Sequence, residues 1–303
     1  MELTDVEPAD VEPADAELTD AGDVAVAAGD DAMVVWAAQG LRGGVRAWTL
    51  DGAVAVASPD LNRRDRLTVR GGAPEVTELV RRVLPELGPS YRLLGERPLV
   101  AEVVRRLPGA EIVGAFEWMD TAGAGRAARP GAVPHRKTTG SSRVRNGEVV
   151  PHGRPSGAGP GGNGEAVPDR PGRDGPVSWL APEADDEVTE LLAEASPSAW
   201  AVPGLPGIRR WAGLRDAAGT LVATAADAWS APEVGFVAGV ATAPALRGRG
   251  LGEAVCRFVV DGLAAEHGRV ALMVDTHNAG AIRVYERLGM RIRPVAAATL
   301  IPG

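Results

Sequence analysis

The run Val240-Ala241-Thr242-Ala243-Pro244-Ala245-Leu246-Arg247-Gly248-Arg249-Gly250-Leu251-Gly252 holds the residue types best spaced to do chemistry. An apolar stretch that reads as a strand passes through a glycine-rich turn directly into an apolar helical pattern. Gly248, Gly250 and Gly252 carry no side chains, so backbone N–H groups can approach an anion, and the following helix turns its positive dipole end to the same place. Arg247 and Arg249 add charge. Leu251, Val255, Phe258, Val259 and Leu263 fall on one helical face, which would anchor the turn to a buried element. The ligand this suits is a pyrophosphate. Arg and Gly are abundant in this chain, so the string by itself reads equally well as a tight, solvated turn.

A second block, Asn278-Ala279-Gly280-Ala281-Ile282-Arg283-Val284-Tyr285-Glu286-Arg287-Leu288-Gly289-Met290, lies one helix and one strand downstream. Asn278 stands where a helix starts, and Asn is a favoured N-cap. Tyr285 shares a face with Ala281, Ile282 and Leu288, so it reads either as a phenol at a site or as a core aromatic. The histidines His135, His152, His267 and His277 have no metal-ligand spacing, and no metal is expected. Cys256, the one cysteine, sits in an apolar helical pattern and reads as a small buried hydrophobe, not a nucleophile.

Together the two blocks resemble the GNAT superfamily of N-acetyltransferases. The first resembles its R-x-x-G-x-G acyl-CoA pyrophosphate loop, and the second its N-x-x-A-x-x-x-Y-x-x-x-G-[FM] helix. The resemblance runs from about Trp179 to the C-terminus. It implies that the backbone of Val240, Ala241 and Thr242 binds the pantetheine arm and the thioester carbonyl. It places Gly248, Arg249, Gly250, Leu251, Gly252 and Glu253, with Arg247, around the pyrophosphate. Asn278 matches the position whose amide contacts the pantetheine, and Tyr285 the phenol that protonates the departing CoA thiolate. The chemistry is coherent: a phenol of ordinary pKa, near 10, keeps its proton at neutral pH, and strand N–H groups can polarise a thioester carbonyl.

For the general base the resemblance points to the long central strand, where the matching register falls at Val234. Glu233 is adjacent and would face the other way unless a bulge intervenes. Asp275, at the end of the next strand, is a second candidate, and a water chain a third. The expected function is transfer of an acetyl group from acetyl-CoA to an amine by direct attack. The alternative is a catalytically silent acyl-CoA-binding sensor or interaction module, which would have no use for a leaving-group acid at Tyr285.

The elements that must hold these residues follow from periodicity. After a strand at 177–181 come a helix at 186–195, a hairpin of 208–214 with 220–226, a strand at 233–242, a helix at 251–267, a strand at 270–274 and a helix at 278–288. One or two short strands close the chain at 290–300. Upstream, 45–48 and 53–57 flank the turn Leu50-Asp51-Gly52. Val76, Leu79, Val80, Val83 and Leu84 mark a helix, 91–94 a strand, Leu99 to Leu107 another helix and 111–118 a strand. This order echoes 234–300, so the chain is expected to be a mixed α/β protein of two tandem GNAT-like units, each a mostly antiparallel sheet flanked by helices. The first unit would be degenerate. Where the cradle should stand it reads Val69-Arg70-Gly71-Gly72-Ala73-Pro74, too short and short of an N–H donor at Pro74.

Composition sets the boundaries. Residues 1–31 hold eleven Asp or Glu and no Lys or Arg, with Val-Glu-Pro-Ala-Asp repeated, and read as a disordered acidic tail. Residues 122–177, rich in Gly, Pro and Arg, read as a flexible linker. The expected units are then 32–121 and 178–303. The net charge of −8 comes mainly from the tail, so no basic nucleic-acid footprint remains, and no apolar stretch is long enough for a membrane helix. The beginning lacks a secretory pattern, which makes the cytoplasm the expected location. Lys137 is the only lysine among 32 Lys and Arg, a bias that hints at a GC-rich bacterial genome. Partners beyond acetyl-CoA and an amine, and the oligomeric state, are not legible.

Overall fold

The structure, a computed structural model, describes residues 15–122 and 175–300. The first part of the expected acidic tail and nearly all of the expected linker lie outside these residues. The first half contains β1 (Asp15–Leu18), α1 (Ala21–Ala27), α2 (Ala32–Ala38), β2 (Arg46–Leu50), β3 (Ala53–Ser58), β4 (Arg66–Arg70), α3 (Ala73–Leu87), β5 (Arg92–Glu96), α4 (Arg97–Arg106) and β6 (Glu111–Thr121). The second contains β7 (Ser178–Trp179), α5 (Asp185–Ala195), β8 (Ile208–Arg215), β9 (Leu221–Ala228), β10 (Gly235–Thr242), α6 (Leu251–His267), β11 (Val270–Asp275), α7 (Ala279–Arg287) and β12 (Met290–Thr299). The closing segment is thus a single long strand.

All twelve strands join one sheet in the order β1-β2-β3-β4-β5-β12-β6-β11-β10-β9-β8-β7. The order is a near-palindrome about the β12–β6 pair. Each half has one parallel pair, β4 with β5 and β10 with β11, and all other neighbours are antiparallel. Each half also lends its last strand to the other: β12 lies between β5 and β6, and β6 between β12 and β11. The exchange covers what would be exposed strand edges at β5 and β11. Consequently the two expected tandem units repeat nearly the same element order, the first with one helix more, but their described residues form one compact body. Periodicity announces a strand but does not say which neighbour it pairs with.

Alternation along the strands sends side chains to two layers. In β3, Val54 and Val56 join a core shared by both halves, beneath α1, α2 and α5, whereas Ala53, Ala55 and Ala57 pack under α3 and α4. A third core lies between the second half of the sheet and the helices α6 and α7. In the shared core Trp36 of α2 stacks on Phe236 of β10 with ring centroids 4.6 Å apart, and Trp118 of β6 lies 5.4 Å from Trp36. The Trp36 indole donates to the Trp229 carbonyl at 2.8 Å.

The expectation that disorder extends to residue 31 is overturned, since 15–31 form β1, α1 and the approach to α2. Asp20 caps α1, accepting from Gly22 N–H at 2.7 Å, and Asp31 caps α2, accepting from Met33 and Val34. Glu17 pairs with Arg46 at 2.8 Å, and Asp30 with Arg269 at 2.9 Å. These acids are counterions for arginines distant in sequence, a relationship composition cannot reveal.

Candidate acyl-donor site

The site is built where the parallel pair of the second half comes apart. β10 and β11 are in register only over Gly235–Val237 and Val270–Leu272; beyond that they diverge. On the other side β10 follows β9 through a bulge, in which Gly239 and Val240 oppose the single residue Ala225. Gly239 has a φ of +60°, and a Cβ there would stand 2.5 Å from the Trp211 ring. Only glycine fits. The sequence admits a bulge in this strand without placing it, and a glycine inside a strand pattern is its usual signal. Gly239 lies directly before Val240, Ala241 and Thr242, where β10 has parted from β11.

From that edge the chain runs through a 3-10 turn, Pro244–Leu246, into the glycine loop. Gly248 and Gly250 have φ of +77° and +86°, a left-handed backbone that glycine adopts at no steric cost, with open space where their side chains would be. Gly252 lets α6 begin against the strand end, for a Cβ would meet Thr242 Oγ1 at 2.9 Å. Ala254 N–H is the first amide of α6 bonded back to the loop, to Gly250 O at 3.0 Å. Among the described residues no backbone carbonyl accepts from the amides of 248–253. Such a run at a helix start has the chemistry of an anion cradle. Leu251, Val255, Val259 and Leu263 are buried, and Gly268, with φ +83°, ends the helix.

Arg247 donates from Nε to Thr242 O at 3.3 Å and from Nη2 to Ala195 O at 2.7 Å, so it ties the loop to the strand end and to α5. Arg249 is exposed beside the cradle. Glu253 is held by Arg287 of α7, 2.7 Å from Nη2, and by Arg257 at 3.2 Å. The Arg287 hydrogen bond holds its carboxyl below the usual range against a small opposing effect of burial. The Glu253–Arg287 pair, for which the sequence carries no local signal, clamps α7 to the start of α6.

Asn278 caps α7, accepting from Ala281 N–H at 3.1 Å through Oδ1; among the described residues its amide nitrogen has no hydrogen-bond acceptor. Tyr285 is buried in the core between the sheet and α6. Burial first, and then the neighbouring Cys256, push its phenol well above 10, so it holds its proton. Asp275 is the last residue of β11, at the diverging end, exposed, and accepts from His277 N–H at 2.9 Å. Glu233 is placed elsewhere, in an exposed turn before β10 begins, about 20 Å along the strand from Val240. It stands one residue before Val234, outside the strand proper.

The first half has no such cradle. Gly71, with φ +129°, is pressed on Ala53, where a Cβ would come within 2.6 Å of the Ala53 Cα, and the Glu75 carboxylate lies over Gly72 at the start of α3.

A splayed parallel pair, an amide-lined loop opening a helix, and a capped helix carrying a buried phenol thus stand together in the second half of the chain. Residues 178–290 match the family model described as acetyltransferase (GNAT) family, and this part of the chain is a GNAT acetyltransferase domain. Among solved structures, the chain is similar to a putative GNAT-family acetyltransferase from Novosphingobium aromaticivorans DSM 12444, at 23% identity and a TM-score of 0.42, over 78% of this chain and 86% of that one. A GCN5-related N-acetyltransferase from Kribbella flavida is 19% identical with a TM-score of 0.46, over 83% and 87%. The Escherichia coli GNAT-family N-acetyltransferase YhbS, solved in complex with CoA, is 15% identical with a TM-score of 0.29, over 33% and 61%. No curated protein sequence matches the chain.

Proposed function

We propose that the protein transfers an acetyl group from acetyl-CoA to an amine. The observation that carries this reading is the run of unbonded amides at 248–253, at the mouth opened by β10 and β11, with Asn278 and Tyr285 on the helix that follows. The diphosphate of the donor would lie on those amides, and its arm along Val240 to Thr242 toward Asn278. A neutral amine attacks the thioester carbonyl; the C–N bond forms as the C–S bond breaks, and Tyr285 supplies a proton to the leaving sulfur. The proton lost by the amine goes to water or to Asp275. Among the described residues no group of three or more acid, His and Cys side chains is placed to hold a metal ion. Among the described residues no helix is long and apolar enough to cross a membrane, and a cytoplasmic location belongs to the same proposal.

The test is calorimetry with acetyl-CoA, followed by an amine screen read out as free thiol. Binding with thiol release that depends on the amine is the expected result. Binding without release from any amine would favour the sensor reading, and absence of binding would remove both.

A further inference from the structure

The segment between α5 and β8 covers the bulge of β10: a Cβ at Gly239 would lie 3.3 Å from the Ala201 Cβ. The neighbouring residue, Trp200, is 42% exposed and is surrounded by arginines of the first half. The guanidinium carbons of Arg63, Arg64 and Arg66 stand 6.0, 5.5 and 6.0 Å from its ring centre. Arg63 also donates to the Trp200 carbonyl at 3.2 Å.

This cluster has no internal counter-charge. Among the described residues none of these three arginines has an acid within ion-pair distance. Asp65, between them in sequence, accepts instead from Asp60 N–H at 2.9 Å. Arg66 is buried, 5% exposed, and its only hydrogen bond to a described residue is a long one, from Nε to Leu61 O at 3.4 Å. Burial, then Arg64 and Arg92, depress its pKa to about 10. Burying an unpaired cation beside others is costly unless an anion completes the site. The loop that presents the cluster is strained as well: Asp60, Asn62 and Arg63 have φ of +49°, +52° and +59°. Strain of this kind gathers at binding sites.

We propose that the acceptor amine carries an oxyanion, a carboxylate or a phosphate, and that Arg63, Arg64 and Arg66 grip it beside Trp200 while its amino group reaches the mouth between β10 and β11. The proposal rests on the acetyl-transfer reading and specifies its substrate class. The two halves then divide the substrates between them, the first supplying the anion subsite and the second the donor site.

The experiment compares matched amines, β-alanine with β-alaninamide and phosphoethanolamine with ethanolamine, in wild type and in an Arg63→Ala/Arg64→Ala variant, whose altered side chains are exposed. Wild type is expected to favour the anionic member of at least one pair by about tenfold or more in kcat/KM, and the variant to bring that ratio near one. The pair that discriminates separates carboxylate from phosphate. Calorimetry with the same compounds on the CoA-loaded protein runs in parallel. Binding of an anionic amine that weakens about tenfold in the variant, without turnover, would keep the subsite while the transferase reading fails. Equal use of charged and neutral amines, or no anion binding that the variant alters, would overturn the subsite whatever the transferase result.

Discussion

Arg293, on the last strand, donates from Nη2 to Oδ1 of Asp31 at 3.2 Å, joining the residue that caps α2 to the far end of the chain. Arg70 adds a contact to Asp31 at 3.0 Å, and Glu96 holds Arg293 at 3.0 Å. Burial alone would raise the Asp31 pKa, but the Arg293 hydrogen bond and charge, the Val34 N–H and Arg70 outweigh it and the net shift is downward. A lowered carboxyl pKa contributes stability that is present above the unfolded value, about 3.9, and is lost as pH falls through the folded value. Asp31→Asn keeps a good cap and removes the charge. It is expected to cost about 2 to 4 kcal/mol at pH 7 and to flatten the loss of stability below about pH 4, measured by denaturant unfolding across pH.

Gly250→Val tests the cradle without touching a packed neighbour. The substitution forces a β-branched residue into a left-handed backbone where its Cβ meets open space, so its effect is conformational. Acetyl-CoA affinity should fall by about tenfold or more in calorimetry, while the melting temperature drops only a few degrees. Unchanged affinity would place the diphosphate elsewhere.

Tyr285→Phe removes one hydroxyl from a buried ring. Turnover should fall by about a hundredfold while the affinity for CoA changes less than about threefold. Because burial raises the phenol above 10, the rate should show no decline from phenol ionisation between about pH 7 and 10. Equal turnover in the variant would reduce Tyr285 to a core residue.

Cys256 lies under Tyr285 in the same core, 1% exposed, and burial, then Glu253, push its thiol up to about 12. At about pH 8 only about one thiol in ten thousand is ionised, so the native protein should resist iodoacetamide for hours and react promptly in denaturant. Prompt reaction under native conditions would show that this core opens.

Much of the local structure of the proposed donor site was legible because it is local. The spacing of Gly248, Gly250 and Gly252 before an apolar helical stripe specifies a loop and helix start within a few residues, and Asn278 announces the helix it caps. These features need backbone conformation and short-range capping, which residue type controls directly. The element order of both halves was readable for the same reason, from periods of about 2 and 3.6.

What tertiary structure alone decided are the relations between residues distant in sequence. Glu233 is adjacent to the matching register in sequence, and the structure leaves it in an exposed turn before β10 begins. Acidic residues that read as disordered are instead caps and counterions, because their arginines arrive from Arg46, Arg70, Arg269 and Arg293. The exchange of β6 and β12 depends on which edges are left open once both halves fold, and so does the meeting of Trp200 with Arg63, Arg64 and Arg66. A residue's own type and neighbours set its backbone preference, but pairing and charge compensation are settled by global packing, which no local window contains.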